Sequence, residues 1–98
     1  MIATNVGKQV IHDKIESQVK IAQAKLETLK AKAEAAKANA ELTAIAELLM
    51  KKRAIDQKLS ELKKSSEKTY QQARTDVEAR VAELEQSVQA IEAKFKAA

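Results

Sequence analysis

Between Ile55 and Val88 the side chains at Ile55, Leu59, Leu62, Ser66, Tyr70, Ala73, Val77, Val81, Leu84 and Val88 follow steps of four, three and four, repeated three times. Eleven residues over three turns is about 3.67 residues per turn, close to the period of an α-helix, so these positions form one nearly straight stripe. A chain with this spacing is a long helix with an apolar seam. Its folding problem is where that seam is buried.

Little in the sequence interrupts a helix. There is no proline, and the single glycine is Gly7, so from Lys8 onward neither strong helix breaker occurs. Tyr70 and Phe95 are the only aromatic residues, and alanine is the commonest apolar residue, which leaves little bulk for a broad globular core. The expected class is therefore all-α, with long amphipathic helices forming a coiled coil. The absence of cysteine removes disulfides and thiolate chemistry and is commoner in a reducing interior. The N-terminus lacks the pattern of a signal peptide, and no run of roughly 18 apolar residues is present. The expected location is cytoplasmic.

Along the chain we expect one coiled-coil domain, 1–98, made of an N-terminal tail at 1–7, a first helix at 8–63 and a second at 67–97. Thr4 and Asn5 are candidate N-caps, because their side-chain oxygens accept from unpaired first-turn amides. Ile15, Val19, Ala22, Leu26, Leu29, Ala33, Ala36 and Ala40 form a heptad seam. Its continuation would place Thr43 and Glu47 on the stripe. A four-residue step through Ala44 and Leu48 to Ile55 restores it, which reads as a stutter within a continuous helix. The alanine-dense Ala31 to Ala46 segment reads as strong helix propensity.

The one expected interior break lies at Lys63, Lys64, Ser65 and Ser66, giving a helical hairpin with a turn near residues 63–68, favoured over one continuous rod. Lysines suit a helix C-terminus and serines the next N-terminus, and Thr69 with Gln72, or Thr75 with Glu78, has capping-box spacing. Folding back at Ser66 sets Leu62 near Tyr70, Leu59 near Ala73, Ile55 near Val77 and Leu48 near Leu84. It also sets Lys51, Lys52 and Arg53 near Glu78 and Glu83. A rod would span roughly 135 Å and the longer arm of a hairpin roughly 80 Å.

No catalytic, cofactor-binding or metal-ligating set stands out. His12 has Asp13 and Glu16 nearby but no third convergent ligand, so it reads as a solvent-facing histidine. Pairs such as Glu83 with Glu85 or Asp76 with Glu78 are two residues apart and point to different sides of a helix. The basic middle, Lys51, Lys52, Arg53, Lys58, Lys63, Lys64, Lys68 and Arg74, has the charge to attract phosphates. It is interleaved with acids and has no aromatic platform for bases, which weighs against a nucleic-acid reader. The eleven-residue period with flanking lysines also suits an amphipathic helix on an anionic membrane surface, although the apolar face is diluted by alanine and lacks tryptophan.

The seam itself is the expected interaction surface: Ile15, Val19, Leu26, Leu29, Leu48, Ile55, Leu59, Leu62, Tyr70, Val77, Val81, Leu84, Val88 and Phe95. Association with a second copy or another helical protein would remove these side chains from water. The expectation is a non-enzymatic structural or interaction protein that needs no cofactor or small-molecule substrate. In its second half, Leu59, Leu62, Lys63, the Ser65-Ser66 pair, Tyr70, Val77, Leu84 and Phe95 occur in an order that resembles the small helical coiled-coil stress-response proteins of cyanobacteria and other bacteria. The chain departs from that pattern in having Tyr70 where tryptophan is common and Asp76 where glycine is common. The resemblance implies a non-enzymatic role under salt or heat stress and carries over no active residues.

Overall fold

A computed structural model describes the backbone of residues 2–97 and the side chains of residues 7–66 and 68–96. The described residues form three α-helices, α1 (Ile2–Ala36), α2 (Asn39–Lys64) and α3 (Glu67–Ala97), separated by two breaks of two residues each. The molecule measures 53 × 17 × 16 Å. A 35-residue helix is about 52 Å long, so α1 alone accounts for the long axis. That length excludes both the continuous rod and a hairpin with an arm of 55 residues. The chain is an antiparallel three-helix bundle, and its α2–α3 hairpin turns at Ser65 and Ser66 as expected.

The expected first helix, 8–63, is corrected by the break at Lys37 and Ala38, and α1 begins at Ile2 rather than after a tail at 1–7. The candidate caps Thr4 and Asn5 lie outside the described side chains. Lys37 adopts φ 56°, the left-handed region. The Ala38 amide donates to the Ala33 carbonyl at 2.9 Å and the Lys37 amide to the Glu34 carbonyl at 3.2 Å. This is the paired bonding of a Schellman motif, which satisfies the last carbonyls of α1. Ala38 packs against the core that contains Ala33, supplying the apolar contact that accompanies such a cap.

The turn wins on magnitude. Left-handed backbone at a non-glycine residue costs roughly 1–2 kcal/mol. Continuing α1 straight would leave Ile45, Leu48, Ile55, Leu59 and Leu62 without α1 to pack on, and each such side chain contributes about 1.5–3 kcal/mol when buried. In the folded chain all five are buried. The phase failure at Thr43 and Glu47 therefore marks a reversal of the chain, not a stutter in a rod.

Each helix contributes a heptad seam to one core. From α1 come Ile15, Val19, Ala22, Leu26, Leu29 and Ala33; from α2, Ile45, Leu48, Ile55, Leu59 and Leu62; from α3, Tyr70, Val77, Val81, Leu84, Val88 and Ile91. Steps of three and four separate these positions within each helix, apart from one skipped step in α2 and one in α3. The skipped seam position in α2 is Lys52, whose stem is mostly buried while its Nζ pairs with Asp56 Oδ2 at 2.6 Å. Ala36 and Ala40, which the extended seam included, are exposed. Ala44 is half-buried, and Ile45 takes its place in the core.

At the second turn the Ser65 amide donates to the Leu62 carbonyl at 3.1 Å and Ser65 Oγ to the Glu61 carbonyl at 3.2 Å. Lys63 and Lys64 occupy the last turn of α2, where positive charge suits the helix dipole. The Ser66 carbonyl accepts the first helical bond of α3 from the Tyr70 amide at 2.9 Å, and Ser66 Oγ bonds Thr69 Oγ1 at 3.2 Å. Thr75 instead donates to the Gln71 carbonyl inside α3, so neither threonine begins the helix. Ion pairs from Lys58 to Asp76, 3.6 Å, and from Lys94 to Glu41, 4.0 Å, link α2 to α3. Reflection about Ser66 would set Lys58 opposite Arg74, so the pairing is displaced by about two residues. Lys51 and Glu83 line one cleft, as charge complementarity suggested. Lys52 instead pairs with Asp56 on its own helix, and Glu78 pairs with Arg74.

Lys37→Gly is expected to stabilise the fold by about 0.5–1 kcal/mol, the left-handed penalty less the entropy glycine gains when unfolded. Lys37→Val should destabilise it. Urea unfolding midpoints of the two variants test this, and equal midpoints would rule out a left-handed turn at Lys37 in solution.

Candidate functional site

The bundle has two unlike ends. Where α1 meets α2 and α3 reaches its C-terminus, the core closes with Ala33, Ala38, Ile91 and the half-buried Phe95. At the other end, where α1 begins and α2 turns into α3, the terminal layer carries His12 and Tyr70 beside Leu62. His12 is 9% exposed, which overturns its reading as a solvent-facing side chain. The physical reason is register: counting the α1 seam back from Val19 and Ile15 by the next step of three lands on His12. The same periodicity that identified Ile15 was the available signal.

Burial makes the polar atoms of this layer consequential. His12 Nε2 pairs with Glu16 Oε2 at 3.1 Å, and Lys20 Nζ pairs with Glu16 Oε1 at 3.1 Å. The hydrogen bond and charge of Lys20 hold the Glu16 carboxyl below the ordinary glutamate range against an opposing desolvation, with lesser help from the charge and hydrogen bond of His12. His12 Nδ1 and the Tyr70 hydroxyl are buried and have no hydrogen-bond partner among the described residues. Lys8 Nζ sits 4.8 Å from the centre of the Tyr70 ring, within cation–π range.

Two clefts flank His12. One, of about 280 Å³, is lined by Lys8, Gln9, His12, Leu62, Lys63 and Tyr70. The other, of about 340 Å³ between α1 and α2, includes Glu16, Lys20, Lys52 and Asp56. In the second, Lys20 and Lys52 pair with the two carboxylates, and Lys63 lines it as well. In the first, the lining among the described residues contains two lysines and no carboxylate.

The expected interaction seam is folded inward. Ile15, Val19, Leu26, Leu29, Leu48, Ile55, Leu59, Leu62, Tyr70, Val77, Val81, Leu84 and Val88 are all buried within one chain, and Phe95 is half-buried against them. Ile45 and Ile91, core residues outside that expected set, continue it three residues from Leu48 and Val88. Among the basic residues of the middle segment, Lys52, Lys58 and Arg74 are engaged with acids. Among the described residues no group of three or more His, Cys, Asp or Glu side chains converges as a metal site, and no helix is long and apolar enough to cross a membrane. No family model matches the chain, nor does any curated protein or solved structure.

Because the folded Glu16 carboxyl is lowered, its contribution is present above the unfolded pKa and is lost as pH falls through the folded value. Glu16→Gln is therefore expected to remove part of the acid-side loss of stability while changing the alkaline side little. Urea midpoints measured across the acid limb check this, and parallel curves for the two proteins would exclude the linkage.

Proposed function

We propose that this protein is a non-enzymatic structural or interaction protein that associates with itself, or with another helical protein, through its coiled-coil seams. The observation that carries this reading is the near-equivalence of the three seams. Each helix presents about five to six turns of heptad-spaced apolar residues, and only two residues separate α2 from α3. If the Ser65-Ser66 turn straightens, α2 and α3 become a rod of roughly 88 Å, and its α3 half can occupy the α3 place in a second chain. The core contacts are the same in the closed and exchanged forms. Their balance rests on the turn and on concentration.

The local chemistry of the turn supports such an exchange. Ser65 donates to the last carbonyls of α2 and the Ser66 carbonyl accepts from the first amides of α3 in the bent form, yet serine also continues a helix at only a few tenths of a kcal/mol relative to alanine. The titratable side chains support the non-enzymatic part of the reading through what they do. Glu16, Asp56, Asp76 and Glu78 are engaged in ion pairs one helical turn away. A role under salt or heat stress is the process suggested by the resemblance that runs from Leu59 to Phe95.

A second reading, attachment to an anionic lipid surface, is favoured by one exposed stripe on α1. Val10 and Ile21 are 61% and 57% exposed, and their spacing of eleven residues places them on the same side of the helix with Lys14 and Lys25. Each apolar side chain contributes at most about 1.5–3 kcal/mol on burial, and each lysine about 1 kcal/mol near anionic lipid. That is less than the seam offers a helical partner, so self-association ranks first.

The double variant Ser65→Ala/Ser66→Ala is expected to move the protein from monomer toward dimer, because alanine favours the straight helix without altering the core. Sedimentation equilibrium over a range of concentrations reads the change. A variant that stays monomeric throughout, together with pelleting of the unmodified protein on anionic but not neutral vesicles, would reverse the order of the two readings.

A further inference from the structure

We infer that Lys52 limits the seam to three helices around each core by refusing a further helix in the α1–α2 groove, an inference that rests on the reading of this chain as a self-associating one. The seam of α2 runs through Ile45, Leu48, Lys52, Ile55, Leu59 and Leu62, in steps of three, four, three, four and three. The five apolar members are each 6% exposed or less. Lys52 keeps 18% of its side chain in water while its Nζ holds Asp56 Oδ2 at 2.6 Å. Its exit from the core is on the α1 side. Lys52 and Asp56 line the cleft between α1 and α2, beside Val19, Lys20 and Gln23, whereas the cleft between α2 and α3 takes Lys51, Ile55, Arg80 and Glu83.

What a lysine does at such a position depends on how many helices surround it. In a three-helix bundle the stem lies among apolar neighbours and the ammonium leaves through the groove that stays open, so burial and hydration are both satisfied. A fourth helix laid along the α1–α2 groove would cover that exit together with the Asp56 carboxylate, 44% exposed as the bundle stands. Taking both ions out of water costs more than their mutual attraction returns. Glu16 and Lys20, paired on the α1 wall of the same cleft, would be covered as well. The exclusion has something to act against. Leu42 and Leu49 are half-buried against the core, and their heptad spacing with Asp56 puts them on its side of α2. This second apolar row would carry a further helix if it continued, and Asp56 ends it. A lysine at one core position of a coiled coil sets the number of strands in this way, at a cost in stability. An α3 from a second copy meets no such obstacle, because it packs where the chain's own α3 packs. The seam therefore accepts exchange between copies and excludes assemblies in which whole bundles share the α1–α2 groove.

The experiment is sedimentation velocity of the full chain over a range of concentrations, comparing the parent with Lys52→Met, Lys52→Leu and Lys52→Arg. Lys51→Met is the control, since it loses the same charge from an exposed position. Circular dichroism and urea midpoints establish that each variant folds. Lys52→Met and Lys52→Leu are expected to match or exceed the parent's midpoint and to lose its single boundary, adding larger species. Lys52→Arg and Lys51→Met are expected to keep that boundary, a split that a merely stabilising substitution would not produce. On the Ser65→Ala/Ser66→Ala background, Lys52→Met should carry the assembly beyond the dimer. The two readings fail separately. A Ser65→Ala/Ser66→Ala chain that never dimerises removes exchange through the turn, while the Lys52 variants with the native turn still decide this inference. Lys52→Met and Lys52→Leu chains that sediment as Lys51→Met does, or a Lys52→Arg chain that grows as they do, would overturn it.

Discussion

The left-handed residue at Lys37 is the constraint on which the bundle depends. A chain with no proline and a single glycine near its start has every local reason to remain one helix. At Lys37 a backbone penalty of roughly 1–2 kcal/mol is set against the burial of an entire α2 face on α1. The Schellman bonds from Ala38 and Lys37 lower that penalty by satisfying carbonyls that a fraying end would expose. Once α2 is folded back, the groove between α1 and α2 is the only place where the seam of α3 meets two apolar surfaces at once. The Ser65-Ser66 turn then follows from the position of that groove.

A core this narrow has few layers, and two of them are polar. Lys52 fills a seam position on α2 and sends its ammonium group to Asp56; polar seam residues in coiled coils fix register at a cost in stability. At the turn end, His12 Nδ1 and the Tyr70 hydroxyl are buried without a hydrogen-bond partner among the described residues. The opposite end is closed by the apolar residues Ala33, Ala38, Ile91 and Phe95.

The all-α class, the α2–α3 turn and nearly the whole core were legible because they depend on periodicity, and periodicity survives in a sequence read without a partner. Val77, Val81, Leu84 and Val88 belong to the seam wherever it is buried. The turn at Lys37 was not legible from residue type, since lysine and alanine are good helix formers and nothing there resembles a glycine cap. Its signal was the loss of apolar phase at Thr43 and Glu47, and a stutter explains the same loss if the helix is assumed to continue. His12 departs from expectation for a related reason: its chemical neighbours, Asp13 and Glu16, suggest a solvated side chain, whereas its seam position decides its burial. That the seam would close within one chain was also invisible, because packing between chains and packing within one satisfy the same pattern.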